Sequence, residues 1–188
     1  MRLATFLLAS LALSTPALSD EVSPRLEAAL AAQAAGDLKA AAAELAAATA
    51  ALNAERAQRL EALLPAAPKG MTQTLQADYM ANLAMIGGGT GAEASYSAED
   101  GSYATVTYNL DTPLMAGMAA ALTDPNMQMI LGAPVELNGL AFYDQTSSMT
   151  ALADGRIMVT VNGSDPATIR KLAETIDGPA LISFDAPR

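Results

Sequence analysis

The spacing of apolar and polar positions changes period several times along the chain, and each change marks a predicted element. A helical period stands out near the centre, in the run Asp111 to Gly132. Asp111 or Thr112 caps a first helix, with Pro113 at its first position, where a missing N–H costs nothing. Leu114, Met118 and Leu122 recur every fourth residue, with Met115 and Ala119 beside them, and make one apolar stripe. Asp124-Pro125 repeats the start signal, Met127, Ile130 and Leu131 form a second stripe, and Gly132 suits the stop. Two short helices laid against a sheet are expected here, with Met118 buried at the centre of its stripe.

An earlier helical period covers Glu21 to Leu64 and reads as a hairpin. Ser23-Pro24 starts its first helix, and Leu26, Ala29 and Leu30 form the expected inner face. Ala35-Gly36-Asp37 makes the turn, with Asp37 as cap of a second helix. That helix carries the stripe Leu38, Ala42, Leu45, Ala48, Leu52, Leu60 and Leu63 and, at ~1.5 Å per residue, reaches roughly 40 Å. The turn sequence Ala32 to Ala41, A-Q-A-A-G-D-L-K-A-A, resembles that of a tetratricopeptide hairpin. A solenoid needs about three such repeats, and no second copy follows. The small alanine faces allow close approach of the two helices, or packing of the hairpin on another copy of itself.

Pro65-Ala66-Ala67-Pro68-Lys69-Gly70 breaks the helical period, because the residue before each proline is pushed out of the helical region. The expected boundary lies there, between a hairpin over 20–64 and a domain over 71–188. Leu75, Tyr79, Met80, Leu83 and Ile86 suggest a third helix over Met71–Ile86. Gly87 to Gly91, G-G-G-T-G, then follows a helix and precedes a strand, without a lysine. A phosphate-binding loop has the opposite order, so this run is expected to be a connector.

Beyond it the period drops to two. Ala92, Ala94, Tyr96 and Ala98 alternate with polar residues, as do Ala104, Val106, Tyr108 and Leu110. An odd-length loop around Asp100-Gly101 keeps both apolar sets on one face, and pairing 98 with 104 sets Tyr96 opposite Val106. Val135-Glu136-Leu137 and Leu140-Ala141-Phe142 flank Asn138-Gly139, a dipeptide suited to a type I′ turn. Ser148–Leu152 and Ile157, Val159, Val161 flank Asp154-Gly155. Ser164-Asp165-Pro166 opens a last helix with Ile169, Leu172, Ala173 and Ile176 inward. Asp177-Gly178-Pro179 closes it ahead of an apolar tail, Ala180–Phe184, expected to dock on the sheet. Adjacent hairpins with helices inserted as a block predict an α+β fold: a helical hairpin, then a small antiparallel β-sheet domain with helices on one face.

Composition adds a compartment. Met1-Arg2, the apolar run Leu3–Leu13 and Pro16-Ala17-Leu18-Ser19 spell a signal peptide over 1–19, cut before Asp20. The expected product is exported and soluble, periplasmic or secreted, with no later stretch apolar enough to span a bilayer. The leader carries Arg2 and no acid, so the mature chain holds 9 basic residues against 20 acidic, a net charge of −11. Such a polyanion is a poor ligand for nucleic acid or anionic membranes. Aromatic content is 4%, so the core is expected to be aliphatic with Tyr96, Tyr108 and Phe142 as its large rings.

Candidate chemistry is sparse. With no histidine and no cysteine, the chain lacks histidine triads, thiol nucleophiles and ordinary zinc ligands. None of Lys39, Lys69 and Lys171 stands in an S-x-x-K pattern, no D-x-D-x-D-G calcium loop occurs, and Glu99-Asp100 reads as turn chemistry. No cofactor is implied. The ten methionines are the unusual feature: Met115, Met118, Met127 and Met129 fall in one helical stretch. Thioether sulfur suits Cu(I), and methionine also fills irregular cores or makes adaptable surfaces. The reading that results is a non-catalytic, exported binding or assembly module. Its expected partner is another envelope protein, met through the hairpin or the methionine-rich helices. The alternatives are a methionine-based carrier of Cu(I) or a small hydrophobic ligand, and, third, an uncharacterised hydrolase.

Overall fold

A computed structural model describes residues 19–85, 87–113, 117, 120–121 and 124–186 of the 188. The leader expected over residues 1–19 lies outside the described residues up to residue 18, and so do Leu114, Met115, Met118 and Leu122 of the central helical stripes. The chain divides into two compact units, Met1–Leu52 and Asn53–Arg188.

The first unit is a helical hairpin built from α1 (Ser19–Ala34) and the opening turns of α2 (Leu38–Glu61). The helix α1 begins upstream of the expected start and carries Pro24 inside it. Its stop is as the sequence implies: Gly36 adopts φ +77°, and the Asp37 N–H donates back to the Ala32 carbonyl at 2.9 Å. The Asp37 carboxylate then accepts from the Ala40 N–H at 2.9 Å, capping α2. Ala29 and Ala41 are buried, and an Arg25–Glu44 ion pair at 3.1 Å joins the two helices.

The second unit is organised around a seven-stranded antiparallel sheet in the order β1-β2-β3-β7-β6-β5-β4. Its strands are β1 (Met71–Leu75), β2 (Thr90–Ala98), β3 (Tyr103–Leu110), β4 (Val135–Leu137), β5 (Leu140–Gln145), β6 (Ser148–Ala153) and β7 (Ile157–Gly163). Two meanders, β1-β2-β3 and β4-β5-β6-β7, meet where β3 pairs with β7. The mixed α+β architecture is therefore the one the periods predict.

Three local results differ from expectation. Met71–Leu75 is a strand, where a helix over Met71–Ile86 was expected; only α3 (Tyr79–Met85) is helical there. Thr72 and Thr74 are β-branched and alternate with Met71, Gln73 and Leu75, a period of two that the neighbouring apolar residues mask. In the β2–β3 hairpin, Ala94 rather than Tyr96 faces Val106. The turn closes more tightly than expected: the Ala98 N–H reaches the Ser102 carbonyl at 2.9 Å, helped by Asp100, which accepts from the Ser102 N–H at 2.8 Å. Because the offset is two residues, every side chain keeps its face. The third is the tail, which forms a short helix after the last long one.

The other hairpins match. Val135 faces Phe142 and Leu137 faces Leu140, with Asn138 at φ +46° and Gly139 at φ +79° as a type I′ turn requires. Ala153 faces Ile157 across a turn with Asp154 and Gly155 both at positive φ.

One face of the sheet is the core. Ala92, Ala94, Tyr96, Val106, Tyr108, Leu110, Phe142, Val159 and Val161 are all essentially inaccessible to solvent. The three rings picked from the sequence are among them. Over this face lie Leu60 and Leu64 at the end of α2, then Ile169, Leu172 and Ala173 of α5 (Pro166–Ala173) and Leu181 of α6 (Gly178–Ile182). Asp165 caps α5 by accepting from the Thr168 N–H at 2.8 Å, and Asp177 caps α6 through the Ala180 N–H at 3.0 Å. The expected apolar tail is thus α6, with Leu181 as its anchor.

A break at Pro65–Gly70 is what the prolines predict; by compactness the units divide inside α2, between Leu52 and Asn53. The reason is that Leu60 and Leu64 belong to the sheet's core, and two tyrosines fasten the segment after them. The Tyr108 hydroxyl donates to the Leu63 carbonyl at 3.1 Å, and the Tyr96 hydroxyl to the Pro65 carbonyl at 2.6 Å. Both carbonyls belong to the irregular segment just past α2, which has no helical partner for them. Burial pushes the Tyr96 hydroxyl up to about 12 and that of Tyr108 higher still, so both remain donors.

The glycine run is a built turn, not a loose connector. Gly87, Gly88 and Gly89 all hold positive φ, and a Cβ on Gly89 would sit 2.5 Å from Thr112 Cγ2. Gly91 lies on the face of the sheet opposite the core, where α3 rests against it; a Cβ there would meet Tyr79 Cε1 at 2.7 Å. Among the described residues no helix is long and apolar enough to cross a membrane.

Candidate functional site

Helical geometry decides what the hairpin presents. Leu26 and Leu30 are four residues apart on α1, and Leu38, Leu45 and Leu52 are seven apart on α2, so each set forms a stripe. Arg25 and Glu44 meet on one side of the seam. In an antiparallel pair, one step onward from each of them turns to the other side, which places Leu26 and Leu45 together there. The same rotation brings Leu30, Leu38 and Leu52 to that side, while Ala29 and Ala41 face the seam.

Accessibility agrees with this geometry. The five leucines are 43%, 68%, 71%, 51% and 45% exposed in the order Leu26, Leu30, Leu38, Leu45, Leu52. Leu26 and Leu30, expected to line the inner face of the hairpin, therefore do not; alanines fill the seam because their size lets the helices approach. Between Leu26 and Leu52 no charged residue shares the leucine side: Gln33, Ala34, Ala42 and Thr49 stand among the leucines, and Glu21, Arg25, Glu27, Lys39 and Glu44 fall elsewhere around the helices. Scattered exposed leucines are ordinary, but a contiguous uncharged apolar face is the mark of an interaction site.

The sheet unit offers a different constellation. Arg56 donates to Asp111 at 2.9 Å and to Asp185 at 2.5 Å, and Arg156 donates to Asp111 at 2.7 Å and to Asp185 at 3.3 Å. Four alternating charges thereby tie the end of α2, the end of β3, the β6–β7 turn and the C-terminal segment. Burial alone would raise the Asp111 carboxyl, but hydrogen bonds from Arg156 and Arg56 outweigh it and hold the group below the ordinary carboxylate range. A carboxylate held this way is a poor general base at neutral pH, so the node suits a structural clamp better than proton transfer. Asp111 itself sits at φ +52°, a left-handed conformation that Asp and Asn tolerate better than other side chains.

Beside the node lies an open groove of about 800 Å³, lined by Arg59, Ala62, Leu63, Ala180, Ser183, Phe184, Asp185 and Ala186. Ser183 Oγ, the only hydroxyl lining it, donates to the Pro179 carbonyl within its own helical turn at 2.8 Å. Among the described residues every buried side-chain nitrogen and oxygen has a hydrogen-bond partner.

The four methionines singled out for a thioether site are only partly visible. Met115 and Met118 lie outside the described residues, as does the side chain of Met127. Met129, on α4 (Pro125–Leu131), is 78% exposed beside Ile130 at 77%. Elsewhere Met149 is buried in the core, Met80 Sδ accepts from the Gly91 N–H at 3.3 Å, and Met85 is 86% exposed.

Sequence reasoning found the hairpin but assigned its leucines to the inside, and it missed the charge node. The signal for the first was available, since alanine at 29, 41 and 48 marks a close seam. The node joins residues up to 129 apart in sequence, which no local pattern announces. Comparison with protein-family models, with curated proteins and with solved structures finds no match to this chain.

Proposed function

We propose that this chain is an exported, non-catalytic assembly module that engages its partner through the leucine face of its N-terminal hairpin. The observation that carries this reading is the five exposed leucines on one uncharged side of two helices. An apolar face of this kind costs free energy in water and is stabilised by burial against another surface, at about 25 cal/mol for each Å² removed from solvent. The remaining chemistry supports a scaffold. The core face of the sheet is covered by the chain's own helices, and the Arg56–Asp111–Arg156–Asp185 cluster is satisfied internally by alternating Arg and Asp.

Export supports the choice of partner, which would be another protein of the envelope or the exterior. Intact mass of the protein from its native host tests that part, with a mature chain beginning at Asp20 as the expected result. The face is tested by placing a photo-activated cross-linking side chain at Leu38 or Leu45, with Lys39 as control. Adducts in the host from positions 38 and 45, and few from 39, are expected. Absence of adducts from the leucine positions would sink the reading.

A further inference from the structure

We infer that the occupant of the leucine face is a second copy of the same chain, the two hairpins closing into an antiparallel four-helix bundle. This rests on the assembly reading above and names its partner. Three observations carry it.

The first is area. The five leucines alone expose on the order of 500 Å², already as large as the biggest apolar patch of a typical monomer. With Ala34, Ala42 and Thr49 between them, the face approaches the roughly 800 Å² per partner of a standard specific interface.

The second is shape. Leu38, Leu45 and Leu52 repeat every seven residues, the spacing that keeps a seam facing a neighbouring helix along its length. Ala42 and Thr49 leave gaps between those leucines, and a gap beside a knob is what an identical, two-fold related face fills. A surface of alternating leucine and small residues is complementary to itself.

The third is charge. The full chain carries a net charge of −10, which opposes association of two copies wherever acids face each other. Between Leu26 and Leu52 the leucine side holds no acid and no base, so this stretch offers neither repulsion to a copy nor a charge that a partner of opposite sign would satisfy. Arg25, Glu27, Lys39 and Glu44 are left at the rim or on the outer sides, in water.

The experiment is sedimentation velocity on the purified chain 20–188, across protein concentrations up to about 100 µM. The expected mass is that of two chains. Leu45→Glu should shift the protein to one chain, and Ala50→Glu, which adds the same charge on the outer side of α2, should leave two. An isologous interface carries the substitution twice, so Leu45→Glu should weaken association at least about a hundredfold. Position 45 is already exposed, so far-UV circular dichroism of the variant should match the unaltered chain.

A single-chain mass for the unaltered protein at every concentration would overturn the inference. A dimer that survives Leu45→Glu would overturn it as well. In the first case, cross-links from positions 38 and 45 to a protein of different mass would leave the assembly reading in place. Their absence would remove both.

Discussion

Replacing Leu60 with alanine tests the placement of the C-terminal end of α2 in the core of the sheet unit. Leu60 is fully inaccessible and belongs to the same core cluster as Tyr96, Tyr108 and Val161. The substitution removes the equivalent of about three methylenes, worth roughly 0.8 kcal/mol each in transfer free energy. The surrounding core cluster limits collapse, so an unfilled cavity adds to the loss. A total of about 3–4 kcal/mol is expected, within the range found for buried leucines. At a urea dependence of about 2 kcal/mol per molar, the unfolding midpoint should fall by roughly 1.5–2 M. Leu75, which is 49% exposed on β1, serves as control, and Leu75→Ala should cost less than about 1 kcal/mol. Equilibrium urea unfolding of both variants, with the slope required to stay constant, gives the comparison. A loss below about 1 kcal/mol for Leu60→Ala would refute the placement of this helix end in the core.

Three further perturbations probe the same unit. Tyr108→Phe should cost about 1–3 kcal/mol, because the Leu63 carbonyl loses its donor inside the core; Tyr96→Phe should cost less, since Gln73 Nε2 still donates to Pro65 at 3.2 Å. Equal losses in urea melts would count against that account. Gly91→Ala should destabilise by about 1–3 kcal/mol, because its Cβ would lie 2.5 Å from the backbone oxygen of Tyr108 and 2.7 Å from Tyr79 Cε1; a neutral result would show that the packing of β3 and α3 around Gly91 is not tight. Asp111→Asn keeps a residue that tolerates positive φ while removing the charge from the node. The folded-state pKa of Asp111 is depressed, so its contribution is present above the unfolded value, near 3.9, and is lost as pH falls through the lower folded one. Asp111 is 41% exposed, so the difference at neutral pH should be no more than about 1 kcal/mol. The gap between the variant and the unaltered chain should close below about pH 4, and a gap that widened in acid would contradict the assignment.

Much of the fold was legible because local chemistry and global arrangement agree. Asn138-Gly139 dictates its turn through positive φ, and the alternation at Val135 and Phe142 then has one sensible register. Asp37 and Asp165 cap helices where a short acceptor precedes an apolar period. The failures have physical causes too. Met71–Leu75 becomes a strand because β2 offers it an edge, a tertiary contact that outweighs a weak helical spacing. The proline-rich segment reads as a linker because proline excludes helix, and exclusion from helix is compatible with burial of Pro65. Tyr96 and Tyr108, distant in sequence, hold the Leu63 and Pro65 carbonyls at its start. The hairpin leucines show the same limit in reverse. Their period is genuine, but whether an apolar stripe faces inward depends on what is available to cover it, and alanine supplied the seam instead.

The leucine face is expected to be open in the single chain and covered in the assembled protein. The chain has no cysteine, so one introduced by Leu45→Cys reports on that face alone, with Lys39→Cys reporting on the outer side of the same helix. The measurement is the rate of maleimide modification at each position, in assembled protein and after dilution to single chains. Position 45 should react at least about tenfold more slowly in the assembled state, while position 39 reacts equally in both. Equal rates at position 45 would contradict the claim and leave the leucine face without a partner.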